Sequence, residues 1–228
     1  MKLAHYDWRM AIDWPENNVP VLAIESAKRF RRAIAELAAQ AEGGSGDFVL
    51  SREMQPLPLG KRCEVISDPI RLEFNDRASQ AALAKWAKAI AVSPQYDLLT
   101  REVCQRVLAW AEAIALESEE PLSVEAEIDF AQLIKLCGLR FDTEEMELPE
   151  KICRRMRIAQ SFLNKDCFIF VNLKRYLDRE ELSELYRSAF YRKMRVMLIE
   201  NPCPEIDKTY ETAWIIDKDD CEIYPDEV

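Results

Sequence analysis

Apolar and polar positions change period along the chain. Leu3 to Asp13 alternates loosely, as one or two strands do, and Val19 to Glu25 is a continuous apolar run of strand length. Ser26 stands where a helix cap belongs, and the spacing of Phe30, Ile34, Leu37 and Ala41 predicts an amphipathic helix ending at Gly43-Gly44-Ser45-Gly46. Strand signals return at Phe48-Val-Leu50 and Cys63-Glu-Val-Ile66. From Asp76 the texture becomes helical: Asp76–Val92 up to Pro94, then Asp97 to about Glu117, then Glu127–Cys137 ended by Gly138. On the second of these, Leu99, Val103, Val107, Trp110 and Ile114 form a repeating apolar line. After Pro149 the alternation resumes: helix Glu150–Asn164, strand Cys167–Val171, helix Asp178–Tyr191 with Asp178 as cap, strand Val196–Ile199 and a last strand at Trp214-Ile-Ile-Asp217.

Strands alternating with helices predict an α/β head built on a mainly parallel sheet, interrupted by a helical insertion. The expected boundaries are residues 1–75 with 150–228 for the discontinuous head, and 76–149 for the helical leg.

Charge is where composition changes this picture. The 228 residues carry 31 Lys and Arg against 41 Asp and Glu, a net charge of −10, which alone argues against a polyanionic partner. The distribution is uneven. Lys151 to Arg195 holds twelve basic residues against five acids, whereas Glu112 to Glu150 holds twelve acids against two bases. A basic and an acidic territory can serve different ligands within one fold. The seven cysteines include no C-x-x-C pair, as expected of free thiols in a reducing compartment. The sequence opens polar, and no apolar run nears the roughly 20 residues that span a bilayer, so a cytoplasmic protein without membrane contact is expected.

Candidate chemistry is tested against these elements. Strand–helix–strand order is shared with P-loop nucleotide hydrolases, yet no G-x-x-x-x-G-K-[ST] is present. The glycines at 43–46 follow a helix rather than a strand, and Glu25 to Lys28, where a phosphate cradle would sit, contains none. His5 is the only histidine, which excludes histidine-based triads and zinc sites. Paired carboxylates holding magnesium for a nuclease remain an alternative, as does nucleotide binding on the same frame. Glu117, Glu119, Glu120, Glu125, Glu127 and Asp129 surround a helix break, and carboxylates on such a loop suit calcium; acids favoured near a helix N-terminus are the plainer explanation. On the helix from Glu150, Arg154, Arg157 and Ser161 lie opposite the stripe of Ile152, Met156, Ala159 and Leu163. Lys28 and Arg32 lie opposite the stripe of the first helix, and Lys61-Arg62 and Lys174-Arg175 fall on loops. Such bases can form one positive surface or serve solubility alone.

Several stretches together resemble a known family: Val21-Leu-Ala-Ile-Glu25 with Phe30 and Glu36-Leu37, Ile128 through Arg140, Glu150-Lys-Ile-Cys153, Phe168-Ile-Phe-Val-Asn172, Leu177-Asp-Arg-Glu-Glu-Leu-Ser183 and Val196-Met-Leu-Ile-Glu-Asn-Pro202. In order and spacing they resemble the Csn2-type adaptation accessory proteins of type II-A CRISPR systems, over nearly the whole chain. The resemblance implies a degenerate P-loop-like head without ATPase activity, a helical leg, and a homotetrameric ring that threads linear double-stranded DNA by its ends. It also implies calcium held by leg acids, and action beside the CRISPR integrase proteins and the effector nuclease in spacer acquisition. By position, Lys28, Arg29, Arg31 and Arg32 match the family's basic first helix, and Arg154, Arg155 and Arg157 its C-terminal head helix. With Lys61, Arg62 and Lys174 these are the candidate DNA-binding residues. Glu119, Glu120, Glu125, Glu127 and Asp129 are the candidate calcium ligands. Leu122, Val124 and Ala126 stand where relatives often carry further acids.

Overall fold

The protein is described by a computed structural model covering residues 1–225. The chain divides into two compact units, one made of Met1–Glu73 with the chain from Glu144 onward, the other Phe74–Thr143. The helical unit therefore ends earlier than residue 149. Pro149 is the reason: it does not interrupt a helix but sits in the first turn of one, where its missing N–H costs nothing.

The head is α/β. Its main sheet has six strands, numbered in chain order with those of the second sheet: β3 (Val19–Ile24), β6 (Cys63–Ile66), β7 (Cys167–Val171), β8 (Arg195–Glu200), β9 (Glu211–Ile216) and β10 (Glu222–Ile223). Their spatial order is β10-β9-β3-β8-β7-β6, parallel except for β10, which runs antiparallel to β9. Strands β3, β7 and β8 are buried along their whole length, which is why they read as unbroken apolar runs rather than alternating ones.

A second, antiparallel sheet is made of β1 (Lys2–His5), β2 (Ala11–Asp13), β4 (Phe48–Arg52) and β5 (Gln55–Leu57), in the order β2-β1-β4-β5. The sequence pattern predicts some of these strands but not their separation into a sheet. They are short, and their pairing is set by contacts far apart in sequence. Helix α1 (Ala27–Ala41) lies between the two sheets: Ala33 and Leu37 share one core with Leu3, Ile12, Phe48 and Leu50 on one side and Leu22, Ile24 and Ile199 on the other. The one-turn helix α2 (Leu59–Arg62) abuts the end of α1, where a Cβ on Gly60 would lie 2.8 Å from the Ala41 carbonyl oxygen.

The opposite face of the main sheet is covered by α6 (Leu148–Leu163) and α7 (Arg179–Tyr191). Ile152, Met156, Leu185 and Tyr186 pack there against Val21, Phe168, Phe170 and Leu198. Asp178 begins α7 with a full capping box, its carboxylate accepting from Glu180 and Glu181 N–H while Glu181 accepts from Asp178 N–H. Asn164 ends α6 in the left-handed conformation that Asn tolerates.

The helical unit contains α3 (Arg77–Ala91), α4 (Asp97–Ala115) and α5 (Phe130–Leu136). The Asp76 carboxylate caps α3 at 2.8 Å from Ser79 N. Asn75 exchanges two 2.8 Å hydrogen bonds with the backbone of Phe141, tying the first residues of the unit to its last. Helix α4 is different. None of its 19 residues is buried, although it carries the apolar line that the sequence shows. Among the described residues no helix is long and apolar enough to cross a membrane.

Candidate nucleic-acid interface

The candidate basic residues separate into three groups. The first is on α1. Ala33 and Leu37 anchor the helix inward, so Lys28, Arg31 and Arg32 project outward as the helical period requires. Arg29 is held by Asp220 at 2.7 Å and Arg32 approaches Asp7 at 3.5 Å. Among the described residues Lys28 and Arg31 have no ion-pair partner. The first turn of α1 carries no acid, so the helix dipole adds to this positive end.

The second group is on α6 and α7. Ile152, Met156 and Ala159 fix the buried face of α6, leaving Arg154 and Arg157 on its half-exposed side. Arg157 and Arg192 both lie close enough to the Cys153 thiol to favour its ionisation electrostatically, though burial still raises its pKa overall. Gln160 Nε2 donates to the Arg192 carbonyl at 3.0 Å, joining the two helices at that point. Arg187 on α7 and Lys193, two residues past its end, are exposed, although sequence reasoning does not single them out. Their place in the basic stretch from Lys151 to Arg195 is the signal that could have indicated them.

The third group is occupied inside the head. Arg155 is buried and pairs with Glu64 of β6 at 2.6 Å, while its Nη1 donates to the Glu73 carbonyl at 3.0 Å. Lys174 pairs with Glu211 at 2.6 Å and also donates to the Glu205 carbonyl. Glu211 accepts from the Tyr186 hydroxyl at 2.8 Å on its other oxygen. Arg62 pairs with Asp166. These three cations are neutralised where they sit and hold elements together. Lys61, beside Arg62, remains exposed.

The α1 group and the α6–α7 group lie on opposite faces of the main sheet, because α1 packs on one face and α6 and α7 on the other. The head of a single chain therefore does not merge them into one surface.

The carboxyl ends of β3 and β8, where parallel sheets commonly bind ligands, are closed by side chains. Asn201 Nδ2 donates to the carbonyls of Ile24 at 2.6 Å and Glu25 at 3.1 Å, and Asn201 N donates to Asn172 Oδ1. The turn from β3 into α1 thus offers carbonyls to Asn201, whereas a phosphate would require amides. Glu200, the last residue of β8, is buried, and desolvation pushes its pKa up to about 7 despite hydrogen bonds from Lys174 and Leu173 amides.

The candidate calcium ligands Glu119, Glu120, Glu125, Glu127 and Asp129 are all exposed on the segment between α4 and α5. Their all-oxygen chemistry fits calcium. One Asp129 oxygen, however, caps α5 by accepting from Ala131 N at 3.0 Å. Among the described residues only His5, Glu36 and Asp47 bring three potential ligand atoms within 4.8 Å of one another, so a single chain does not gather the leg acids into a site. His5 itself suits a metal poorly: its Nδ1 accepts from Asp7 N at 3.1 Å, which leaves the proton on Nε2, the nitrogen facing Glu36 at 3.4 Å.

Comparison with known proteins identifies relatives. The family model described as CRISPR-associated protein (Cas_Csn2) matches residues 40–220. A structure search finds the crystal structure of Stu0660 of Streptococcus thermophilus at a TM-score of 0.63 and 11% identity, covering 99% of this chain and 76% of that one. This likeness shows a shared fold. A putative ABC transporter ATP-binding protein from Pyrococcus furiosus aligns over 93% of this chain and 97% of its own at 11% identity, with a TM-score of 0.39 that carries no argument. A search of curated protein sequences gives no match.

Proposed function

The chain belongs to the Cas_Csn2 family of CRISPR-associated proteins, and from that premise we propose that it is a non-catalytic accessory protein that binds the ends of linear double-stranded DNA as a homotetrameric ring. The observation that carries the reading is the pairing of two features. The head presents cations that no acid among the described residues neutralises, and the helical unit presents an apolar line on a helix none of whose residues is buried.

Lys28 and Arg31 on α1, and Arg157 and Arg192 across α6 and α7, are the side chains suited to phosphates. Lying on opposite faces of the sheet, they reach a single duplex only when different copies turn different faces toward it. A closed ring supplies such an arrangement and repeats each cation once per copy. Arg155, Arg62 and Lys174 drop out of this interface, since moving them to DNA would abandon the buried Glu64 and Glu211 and the largely covered Asp166.

Assembly is supported by α4, where Leu99, Trp110 and Ile114 of the apolar line are each more than half exposed. Burying such a face against another copy is strongly favourable, and a lone chain leaves it in water. Calcium fits this scheme as a bridge between copies, since the leg carboxylates do not converge within one chain. Neutralising them would relieve repulsion at a contact between acidic segments. The reading places the protein beside the CRISPR integrase proteins and the effector nuclease, in the cytoplasm.

A mobility-shift series with a linear duplex at rising salt tests the proposal. Binding that ignores sequence and weakens steeply with salt supports phosphate contacts. Hydrolysis of the DNA, or of ATP, in the presence of magnesium would instead favour the alternative of an enzyme on this frame.

A further inference from the structure

A row of three register neighbours crosses one edge of the main sheet: Cys63 on β6, Cys167 on β7 and Arg195 on β8. As partners on adjacent parallel strands they point to the same face, about 4.8 Å apart along the row. Both cysteines are completely buried in the core shared with α1. The thioether of Met1 lies 3.4 Å from Cys167 Sγ, and the carboxylate of Asp166 lies 3.4 Å from the same sulfur on another side. Sulfur atoms from two separate segments therefore meet at Cys167, and Cys63 is its register partner on the same face.

Two arginines flank this point. Arg195 pairs with Glu16 and approaches Asp166 at 3.6 Å, and Arg62, next to Cys63 in sequence, also pairs with Asp166. The Nε–H groups of Arg195 and Arg62 are buried and have no acceptor among the described residues. The Arg195 side chain is only 7% exposed, so water does not readily reach its Nε. Buried donors normally find partners. A thiolate sulfur is an acceptor that a thiol provides only weakly.

We infer that Cys63, Cys167 and Met1 form a binding site for a soft monovalent metal ion of the Cu(I) or Ag(I) type, held by two thiolates and a thioether. Soft sulfur ligands select such ions over hard or borderline ones. Binding replaces two thiol protons with one cation, leaving a site of net charge −1; Arg62 and Arg195 are matched by Asp166 and Glu16, so it is their unpaired Nε–H groups that are left to stabilise it. Asp166 Oδ1, within reach of the Cys167 S–H, is the first acceptor for a departing proton. In the metal-free state the neighbouring Cys63, burial and Asp166 hold the Cys167 thiol well above its ordinary pKa, so ionisation waits for the metal. Entry is from the side of Met1, which is only half-buried, at the margin of the edge strand β6, where local opening is easiest. The other five cysteines, at 104, 137, 153, 203 and 221, lie outside this cluster.

The test uses the full chain with those five cysteines changed to serine, titrated anaerobically with Cu(I) against a chromogenic Cu(I) chelator. One equivalent bound per chain is expected, with affinity falling about a hundredfold for each unit of pH below neutrality, as release of two protons requires. Cys63→Ala and Cys167→Ala, made separately in that background, are each expected to abolish competition with the chelator. Methyl-labelled methionine spectra give a readout free of core substitution: Ag(I) is expected to shift one of the seven methionine methyl signals. Three results would overturn the assignment: no copper retained by the variant carrying only Cys63 and Cys167, no methionine signal that responds to Ag(I), or a loss of two mass units on mild oxidation with no metal bound, which would make the pair a disulfide site instead.

Discussion

Arg155 Nε donates to Glu64 Oε1 at 2.6 Å in the interior of the head, and both side chains are about nine-tenths buried. A charged pair taken out of water is held by its own geometry, so removing one partner leaves an uncompensated charge. Arg155→Ala is expected to lower stability by about 3–5 kcal/mol in chemical denaturation. The double variant Arg155→Met with Glu64→Leu is expected to recover most of that loss. If Arg155 contacted DNA instead, Arg155→Ala would leave the denaturation midpoint unchanged and affect only binding.

The exposed cations behave in the opposite way. Lys28→Glu with Arg31→Glu, and separately Arg157→Glu with Arg192→Glu, should leave the melting temperature within a degree or two of wild type. Each pair should weaken binding to linear duplex by an order of magnitude or more and flatten the salt dependence by roughly 0.9 for each phosphate no longer neutralised. Fluorescence anisotropy across a salt series measures both effects. A pair that alters neither affinity nor slope does not belong to the interface.

Helix α4 tests assembly. Trp110 is 65% exposed on a helix with no buried residue. Trp110→Glu is therefore expected to reduce the mass found by light scattering toward that of one chain without reducing helix content by circular dichroism, since most of the indole faces water in a lone chain. Loss of helix along with mass would instead assign Trp110 a role in folding.

Glu200 makes a pH prediction whose sign follows from its environment. Its ordinary pKa of 4.5 rises to about 7 in the folded head. The folded state therefore keeps a proton that the unfolded state gives up between these values, and stability contributed by Glu200 is lost as pH rises from about 4.5 to 7. That span corresponds to about 3 kcal/mol. Glu200→Gln should match wild type near pH 4.5 and exceed it at about pH 8. A difference between the two proteins that stays constant with pH would contradict the burial argument.

Much of the head was legible because its strands are buried on both faces. Cys167–Val171 could be placed to the residue from its unbroken apolar run, and Asp178 marked the start of its helix as a cap. The antiparallel sheet was not legible as such: β5 includes Pro56 and spans three residues, too few for a period to register. The interface was legible only in part. Arg155 lies three residues after Ile152 and four before Ala159, on the buried stripe itself, so helical geometry argued for its burial while its charge and the family resemblance argued for a surface role. Lys174 offered no such clue, because its partner Glu211 is 37 residues away. The opposition of the two basic groups depends on which face of the sheet each helix covers, which charge patterning does not encode.

The central claim is that duplex DNA enters a closed protein ring by its end. The most direct measurement is the binding of one plasmid in two forms, covalently closed and cut once, at equal concentration and in calcium. Retention of the linear form with no stable retention of the closed circle, and release of linear DNA when calcium is chelated, is the predicted result. Equal retention of both forms would contradict threading and reduce the head's cations to an open surface.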